Sequence, residues 1–396
     1  MPIINKNKIP CYVKNNNTHE YSIIYKDLEQ DFRQYQVIET QSKIGMQYNL
    51  FMIHLDHTDV LELFDFYDVL PKDFPNNTVI MLAIAYDAYY PIINKIYQNL
   101  IVTGKFKPNQ IYLPAGSAQM IEYCKNTAEH TFNSECIHID YFQYFEQSTQ
   151  RFYEKYYNLT NSKNKPKVPK ITYDKFQTKF DKKFICLNRA WRNHRQMMLC
   201  MLKSGNLLKD GYISYSYQNK NDWDNSFNNS ILYFDYRVRG IANHGYDVYK
   251  ELPLFVDTKN LENFSLSWWT PTIQKYYNNC YFSLTMETNY HFTHPNQLTE
   301  KTFKTILYKK PAIIASAPYH LKVLRNAGYK TFDGIINESY DKLENDSDRL
   351  LAIYNEVKRL CKLDSSKLSQ FVYDCSEIVE FNFQLLMDKE TFVYTF

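Results

Sequence analysis

The sequence predicts an α/β protein made of two Rossmann-like domains facing each other across a cleft. Three observations carry this. Short apolar strands alternate with helix-length stretches, which is the pattern of βαβ units and parallel sheets. The alternation runs twice, before and after one polar, basic, proline-bearing stretch at 158–180. The chain has 396 residues with 44% apolar side chains, enough to bury more than one core.

In the first half, 47–56 (QYNLFMIHLD) reads as a buried strand, followed by a helical stretch near 58–69. Thr78–Ala85 (TVIMLAIA) is a second strand, with Asp87 just past its carboxyl end. A helix over Pro91–Thr103, a strand over Lys107–Leu113, a helix from Ser117 to Cys124 and a short strand at Cys136–Ile139 follow. The stretch 158–180 holds no apolar run long enough for a core element and reads as a linker. Beyond it, Lys183–Leu187 is a strand and Arg192–Lys203 a helix stopped by Gly205. Asn279–Met286 is a strand, Glu300–Lys309 a helix stopped before Pro311, and Ala312–Ser316 another strand. Tyr319–Ala327 is a helix with Gly328 just past its end, and helical segments near 346–361 and 364–387 follow. The expected domains are therefore 1–157, the linker 158–180, and 181–396.

Composition excludes several classes. The 46 basic and 43 acidic residues leave a formal charge of +3, too little for a histone-like or repressor-like field. Nine glycines are about a third of the usual share. No G-x-G occurs, and Gly240 and Gly245 are followed by Tyr-Asp rather than Lys-Ser/Thr, so the dinucleotide and P-loop fingerprints are absent. Any phosphate must be held by side chains and helix N-termini. Eight scattered cysteines without a C-x-x-C read as free thiols in a reducing compartment. No apolar run approaches the ~20 residues that span a bilayer. A cytoplasmic protein is expected, and the richness in Asn, Lys, Tyr and Ile suggests an AT-rich genome such as a virus.

Two groups of residues at strand ends suit an anionic ligand. In Leu187-Asn188-Arg189-Ala190-Trp191-Arg192-Asn193-His194-Arg195, Arg189 follows a strand, and Arg192 and Arg195 are placed to share one face of a helix's first turn. Guanidiniums at a helix N-terminus can clamp a diphosphate or form a solvated basic face. In the second group Glu287 ends a strand, Thr299 is an N-cap, and Glu300 and Lys301 fall in the first helical turn. Lysine is unfavourable there unless an anion lies beside it.

On these residues the run 281–316, strand–Glu–loop–Thr-Glu-Lys–helix–Pro–strand, resembles the donor-binding signature of GT-B glycosyltransferases of the α-1,3-fucosyltransferase type. The segments at 187–195, 299–304 (TEKTFK), 324–341 and 348–353 are similar to those of glycosyltransferases from phages, giant viruses and marine bacteria. The resemblance covers roughly 183–360 and departs at Lys309-Lys310 and Ser316-Ala317, where fucosyltransferases often carry a glycine turn. It implies a GT-B architecture with a nucleotide-diphosphate sugar as donor substrate. Arg189 and Lys301 would bind the diphosphate, Glu300 the ribose or sugar hydroxyls, and Glu287 would sit beside the donor sugar, with Asn188, Arg192, Arg195 and Thr299 completing the donor site. The acceptor, a glycan, lipid-linked or protein hydroxyl, would lie on 1–157. Asp87 is the candidate general base of an inverting reaction.

Other constellations read as structural. His54/His57 and His291/His294 lack further metal ligands. Asp222-Trp223-Asp224 lies in a polar stretch that reads as a solvated loop, and Asp346-Ser347-Asp348 opens a helix, so no metal and no other cofactor are expected. Trp268 and Trp269 read as packing. A transferase acting on modified viral DNA bases, or a non-catalytic nucleotide-sugar-binding virion protein, are the alternatives.

Overall fold

The computed structural model describes residues 49–54, 78–83, 91–104, 106–141, 146, 149, 179–188, 191–216, 219–254, 273–291 and 296–388. The chain divides into two compact units, Met1–Gln147 with Glu390–Phe396, and Ser148–Lys389. Each unit carries a parallel sheet of four described strands with helices between them, which is a mixed α/β fold with Rossmann-like alternation. The predicted helix at 58–69, residue Asp87 and all of the predicted linker but 179–180 lie outside the described residues.

In the first unit, β1 (Asn49–His54), β2 (Thr78–Ala83), β3 (Ile111–Ala115) and β4 (His138–Tyr141) lie side by side in that order. After β2, α1 (Pro91–Ile96) opens on proline, whose fixed φ suits the first helical position, and widens into a π turn over Tyr97–Ile101. After β3, α2 (Ala118–Asn126) is capped by Ser117, whose hydroxyl accepts from Gln119 N at 3.3 Å. Ile92, Ile93, Ile96, Tyr97 and Leu100 pack with Ile111, Leu113, Ile137 and Ile139 into the core. The third strand starts later than the apolar pattern suggests. Pro108 has no N–H for a ladder, so Pro108–Gln110 forms a 3-10 turn first.

In the second unit the order is β6 (Gly211–Ser214), β5 (Lys182–Leu187), β7 (Cys280–Met286), β8 (Ala312–Ala315), again all parallel. Every residue of β7 is buried, as a central parallel strand requires, and its Ser283 and Thr285 hydroxyls bond each other at 3.1 Å. Following β5, α3 (Asn193–Ser204) is buried at every position from His194 to Leu202.

The polar stretch read as a solvated loop is a helix, α4 (Lys220–Ile231), capped by Asn219. It buries Trp223, Phe227 and Ser230 at helical spacing, and every other position but Ile231 is polar, which hid it. Asp222 and Asp224 lie on α4, and Asp224 pairs with Lys220 at 2.6 Å. Next comes α5 (Tyr236–His244), ended by Gly245. A Cβ on Gly245 would stand 1.8 Å from the Cys200 carbonyl oxygen, so this glycine permits a close approach to α3 and has no phosphate-loop role.

The remaining helices are α6 (Gln274–Asn278), α7 (Glu300–Leu307), α8 (His320–Asn326) and α9 (Asp346–Cys361), followed by α10 (Ser365–Asp374) and α11 (Ser376–Asp388). The segment expected as one helix at 364–387 is therefore two. No described helix is long and apolar enough to cross a membrane.

Candidate functional site

The strand order of the second unit reverses between β5 and β7. The chain leaves β5 for β6 on one side, and β7 returns to the other side of β5 and leads on to β8. Right-handed crossovers running in opposite directions send α3 and α7 to opposite faces of the sheet, and the carboxyl ends of β5 and β7 are where open α/β sheets place a ligand crevice. Asn188 follows β5 there, and Glu287 follows β7.

Two buried side chains from the first turn of α3 fasten the end of β7. The His194 Nε2 lies 2.9 Å from the Glu287 carbonyl oxygen, and its ring stacks on Tyr290 at 4.5 Å. A carbonyl only accepts, so Nε2 carries the proton. Burial, reinforced by the charge of Arg195, holds the His194 pKa well below the usual value and keeps the ring neutral. The Arg195 guanidinium donates to the Met286 carbonyl at 2.9 Å. Burial, then Arg192, pushes its pKa down to about 10, so it stays charged at neutral pH.

The Glu287 side chain turns toward α7 and is 1% exposed. Its Oε2 accepts from Thr299 Oγ1 at 2.5 Å, and its Oε1 accepts from Thr302 Oγ1 at 2.7 Å and Thr302 N at 3.3 Å. Thr299 also caps α7, accepting from Lys301 N at 3.2 Å. The Glu287 carboxylate thus holds the first turn of α7 through Thr299 and Thr302.

Lys301 Nζ lies 2.7 Å from Glu300 Oε1, 3.9 Å from Glu287 Oε2, and 3.3 Å from the hydroxyls of Thr288 and Thr299. The anion that a lysine needs at this position is thus present as two carboxylates. Burial pushes the Glu300 carboxyl up, but the charges of Lys301 and Lys304 outweigh it and leave the pKa at about 2. Lys301 retains 22% side-chain exposure at the mouth of the crevice.

A further layer supports these groups. His320, just past β8, contacts Ser316 Oγ at 3.0 Å and Thr302 Oγ1 at 3.4 Å, and burial lowers its pKa. The buried Arg349 guanidinium donates to the carbonyls of Ser316 and Tyr290 and lies 4.4 Å over the Tyr290 ring. In the β5–α3 loop, Trp191 is 41% exposed, yet its indole N–H donates to Gln196 Oε1 at 2.9 Å. Gln196 is fully buried and is itself fixed by Ser230, Ser226 and the Trp223 carbonyl. The exposed indole therefore has a fixed plane.

Of the residues singled out in the sequence, Asn188, Arg195, Glu287, Thr299, Glu300 and Lys301 lie toward the carboxyl ends of the two central strands of one sheet. Asn188 is 5% exposed, and its Oδ1 accepts no hydrogen bond among the described residues. Arg192 does not share a helical face with Arg195. It is the extended N-cap of α3 (φ −153°), exposed, with Nη1 donating to the Trp191 carbonyl. Arg189, Asp87, His57, His294, Trp268 and Trp269 lie outside the described residues. Asp346 bonds His291 and Arg349, and Asp348 bonds Arg237. Among the described residues no group of three His, Cys, Asp or Glu side chains is placed to hold a metal. Reading the sequence missed His194, Thr302, His320 and Trp191. Their signal was position, within four residues of a helix start that follows a strand.

No protein-family model matches the chain, and no curated protein matches it. Among solved structures it is similar to an S. aureus MnaA–UDP co-structure, with 12% identity and a TM-score of 0.36, covering 91% of this chain and 77% of that one. A likeness that distant defines no function.

Proposed function

We propose that the chain is a glycosyltransferase that moves a hexosyl or fucosyl-type sugar from a nucleotide-diphosphate donor to a hydroxyl acceptor. The observation that carries this is the reversal of strand order between β5 and β7, with the mostly buried side chain of Lys301 beside it. Departure of a nucleoside diphosphate builds negative charge, and in a chain without a glycine loop a cation beside helix amides is the group that can meet it. Arg189, next to Asn188, is the second cation of this reading. The unsatisfied Asn188 Oδ1 suits a ligand N–H or hydroxyl, and the fixed face of Trp191 suits a ring. Glu300 takes a ribose or sugar hydroxyl, and Glu287 positions Lys301 without touching the substrate. The acceptor lies on residues 1–157, with Asp87 as the base that deprotonates it, and 158–180 links the two domains. The reaction uses no metal.

The test is a thermal-shift series with UDP-, GDP-, CMP- and dTDP-sugars, with and without EDTA. A matching donor at 100 times its Kd adds about 2.7 kcal/mol of stability. Stabilisation by one nucleotide class, followed by donor hydrolysis or transfer seen by mass spectrometry, is expected. No shift with any of them overturns the reading.

A further inference from the structure

We propose that Cys124 and Cys136 form a dithiol modification site in the first unit, which closes to a disulfide when a disulfide oxidant such as oxidised glutathione reaches it. Cys124 lies on α2 and is fully buried, whereas Cys136, just before β4, is half-buried. The Cys136 thiol donates to the Cys124 sulfur at 3.6 Å, ~1.5 Å beyond bonding distance, a gap that small side-chain rotations can close.

What keeps the two sulfurs together is a single buried phenol. The Tyr97 hydroxyl donates to the Glu135 carbonyl at 3.0 Å and accepts from Ile137 N at 2.9 Å, so the backbone on both sides of Cys136 is pinned to it. The Tyr97 ring stacks on Phe132 at 5.2 Å, within the same connection from α2 to β4. The chain cannot swing Cys136 away from Cys124 without breaking both bonds.

The difference in exposure sets the order of steps. The Cys136 thiolate attacks one sulfur of oxidised glutathione, the S–S bond breaks, and one glutathione leaves as its thiolate. The Cys124 thiol then loses its proton, its sulfur attacks the Cys136 sulfur, and the second glutathione leaves. In total the two cysteines lose two protons and two electrons, and one oxidised glutathione becomes two reduced molecules. Burial, then the neighbouring Cys136 thiol, holds the Cys124 pKa well above the usual value, which makes the second step the slower one. The influence of the Cys136 thiol disappears once that sulfur carries glutathione.

The product ties α2 to the entry of β4, an edge strand of the described sheet. It also removes freedom from the unfolded chain, so the oxidised protein melts at a higher temperature. The test is to incubate the full chain with oxidised glutathione, digest it without reduction and map the peptides by mass spectrometry. A cross-link joining Cys124 to Cys136, reversed by dithiothreitol and accompanied by a higher Tm, is expected. The Cys124→Ser variant should instead hold a stable glutathione adduct on Cys136. If that variant does not fold, mapping the parent chain decides alone. The proposal is overturned if both thiols stay open to alkylation, if the parent keeps glutathione on Cys136, or if either cysteine pairs elsewhere.

Discussion

The two sheets are built from the same kind of unit but differ in the direction of their crossovers. In the first, the described strands run β1-β2-β3-β4, every step goes the same way, and α1 and α2 fall on one face. In the second, the step from β5 to β6 opposes the step from β7 to β8. The residues that converge there are polar and mostly buried, a costly arrangement that the described part of the first sheet matches at its strand carboxyl ends only with Ser117. The difference teaches that topology, more than composition, places the candidate site.

The comparison breaks most visibly at Glu287. Glu287→Ala leaves the donors of Thr299 and Thr302 without their acceptor and Lys301 without one of its carboxylates. Loss of about 3–5 kcal/mol is expected, as for breaking other buried charged contacts, together with loss of nucleotide binding. Urea unfolding followed by circular dichroism measures it. A variant as stable as its parent would mean that this carboxylate does not hold α7.

Lys301→Ala comes next. If Lys301 meets the departing diphosphate, kcat/KM falls by about 10²–10³, the cost of losing one oxyanion donor. From sequence alone the same variant is expected to melt at the same temperature or higher, because a cation leaves a helix N-terminus. The structure reverses that sign. Removing Nζ takes the partner from Glu300 at 2.7 Å, and a loss of about 1–3 kcal/mol is expected in its place. The pH dependence carries the same signature. The folded Glu300 pKa of about 2 lies below that of an ordinary carboxylate, so its contribution is complete above pH ~4.3 and is lost as pH falls from there through about 2. Acid titrations of parent and variant should diverge above that window and converge below it. Parallel curves would remove Lys301 from the pair.

How much of this was legible in the sequence follows from what periodicity can report. The mostly apolar run of β7, the Thr299 cap, the Gly205 stop and the placement of Glu300 and Lys301 in one turn are local signals, and each appears in the structure. The reversal at β5 is not local. It depends on β6, four residues (GYIS) only half of which are buried, too short to stand out. The α3 start is misjudged by a single residue, and that residue moves Arg192 out of the helix and away from Arg195. His194 stands in a string of polar letters, and His320 opens a helix with no partner visible in its neighbours. Burial beside carbonyls and hydroxyls that lie far away in sequence gives them their place.

A milder change sharpens the contrast from the other sheet. Ser117 is buried past the carboxyl end of β3 and caps α2, a position equivalent to that of Thr299 before α7. Ser117→Ala should cost ~1 kcal/mol, the usual loss of a cap. Nucleotide affinity, measured by calorimetry, should not change. A drop in affinity matching that of Lys301→Ala would show that the donor site is not confined to the second sheet.

The smallest expected effect concerns glycine, which this chain uses sparingly. Gly104 in the first unit has φ +70°, a conformation that an L side chain strains to adopt. Gly240 in the second unit is different. It lies within α5, is exposed, and a Cβ placed there would meet nothing within 4 Å. With no close approach to protect, it contributes only the entropy that glycine loses on entering a helix. Gly240→Ala should therefore stabilise the protein by ~0.5–1 kcal/mol and raise its Tm by a few degrees. Nucleotide affinity should not move, because α5 packs on the flank of α3 and contributes no group to the crevice. A lower Tm would mean that the 236–244 segment is not helical, and the packing that buries α3 would have to be drawn again.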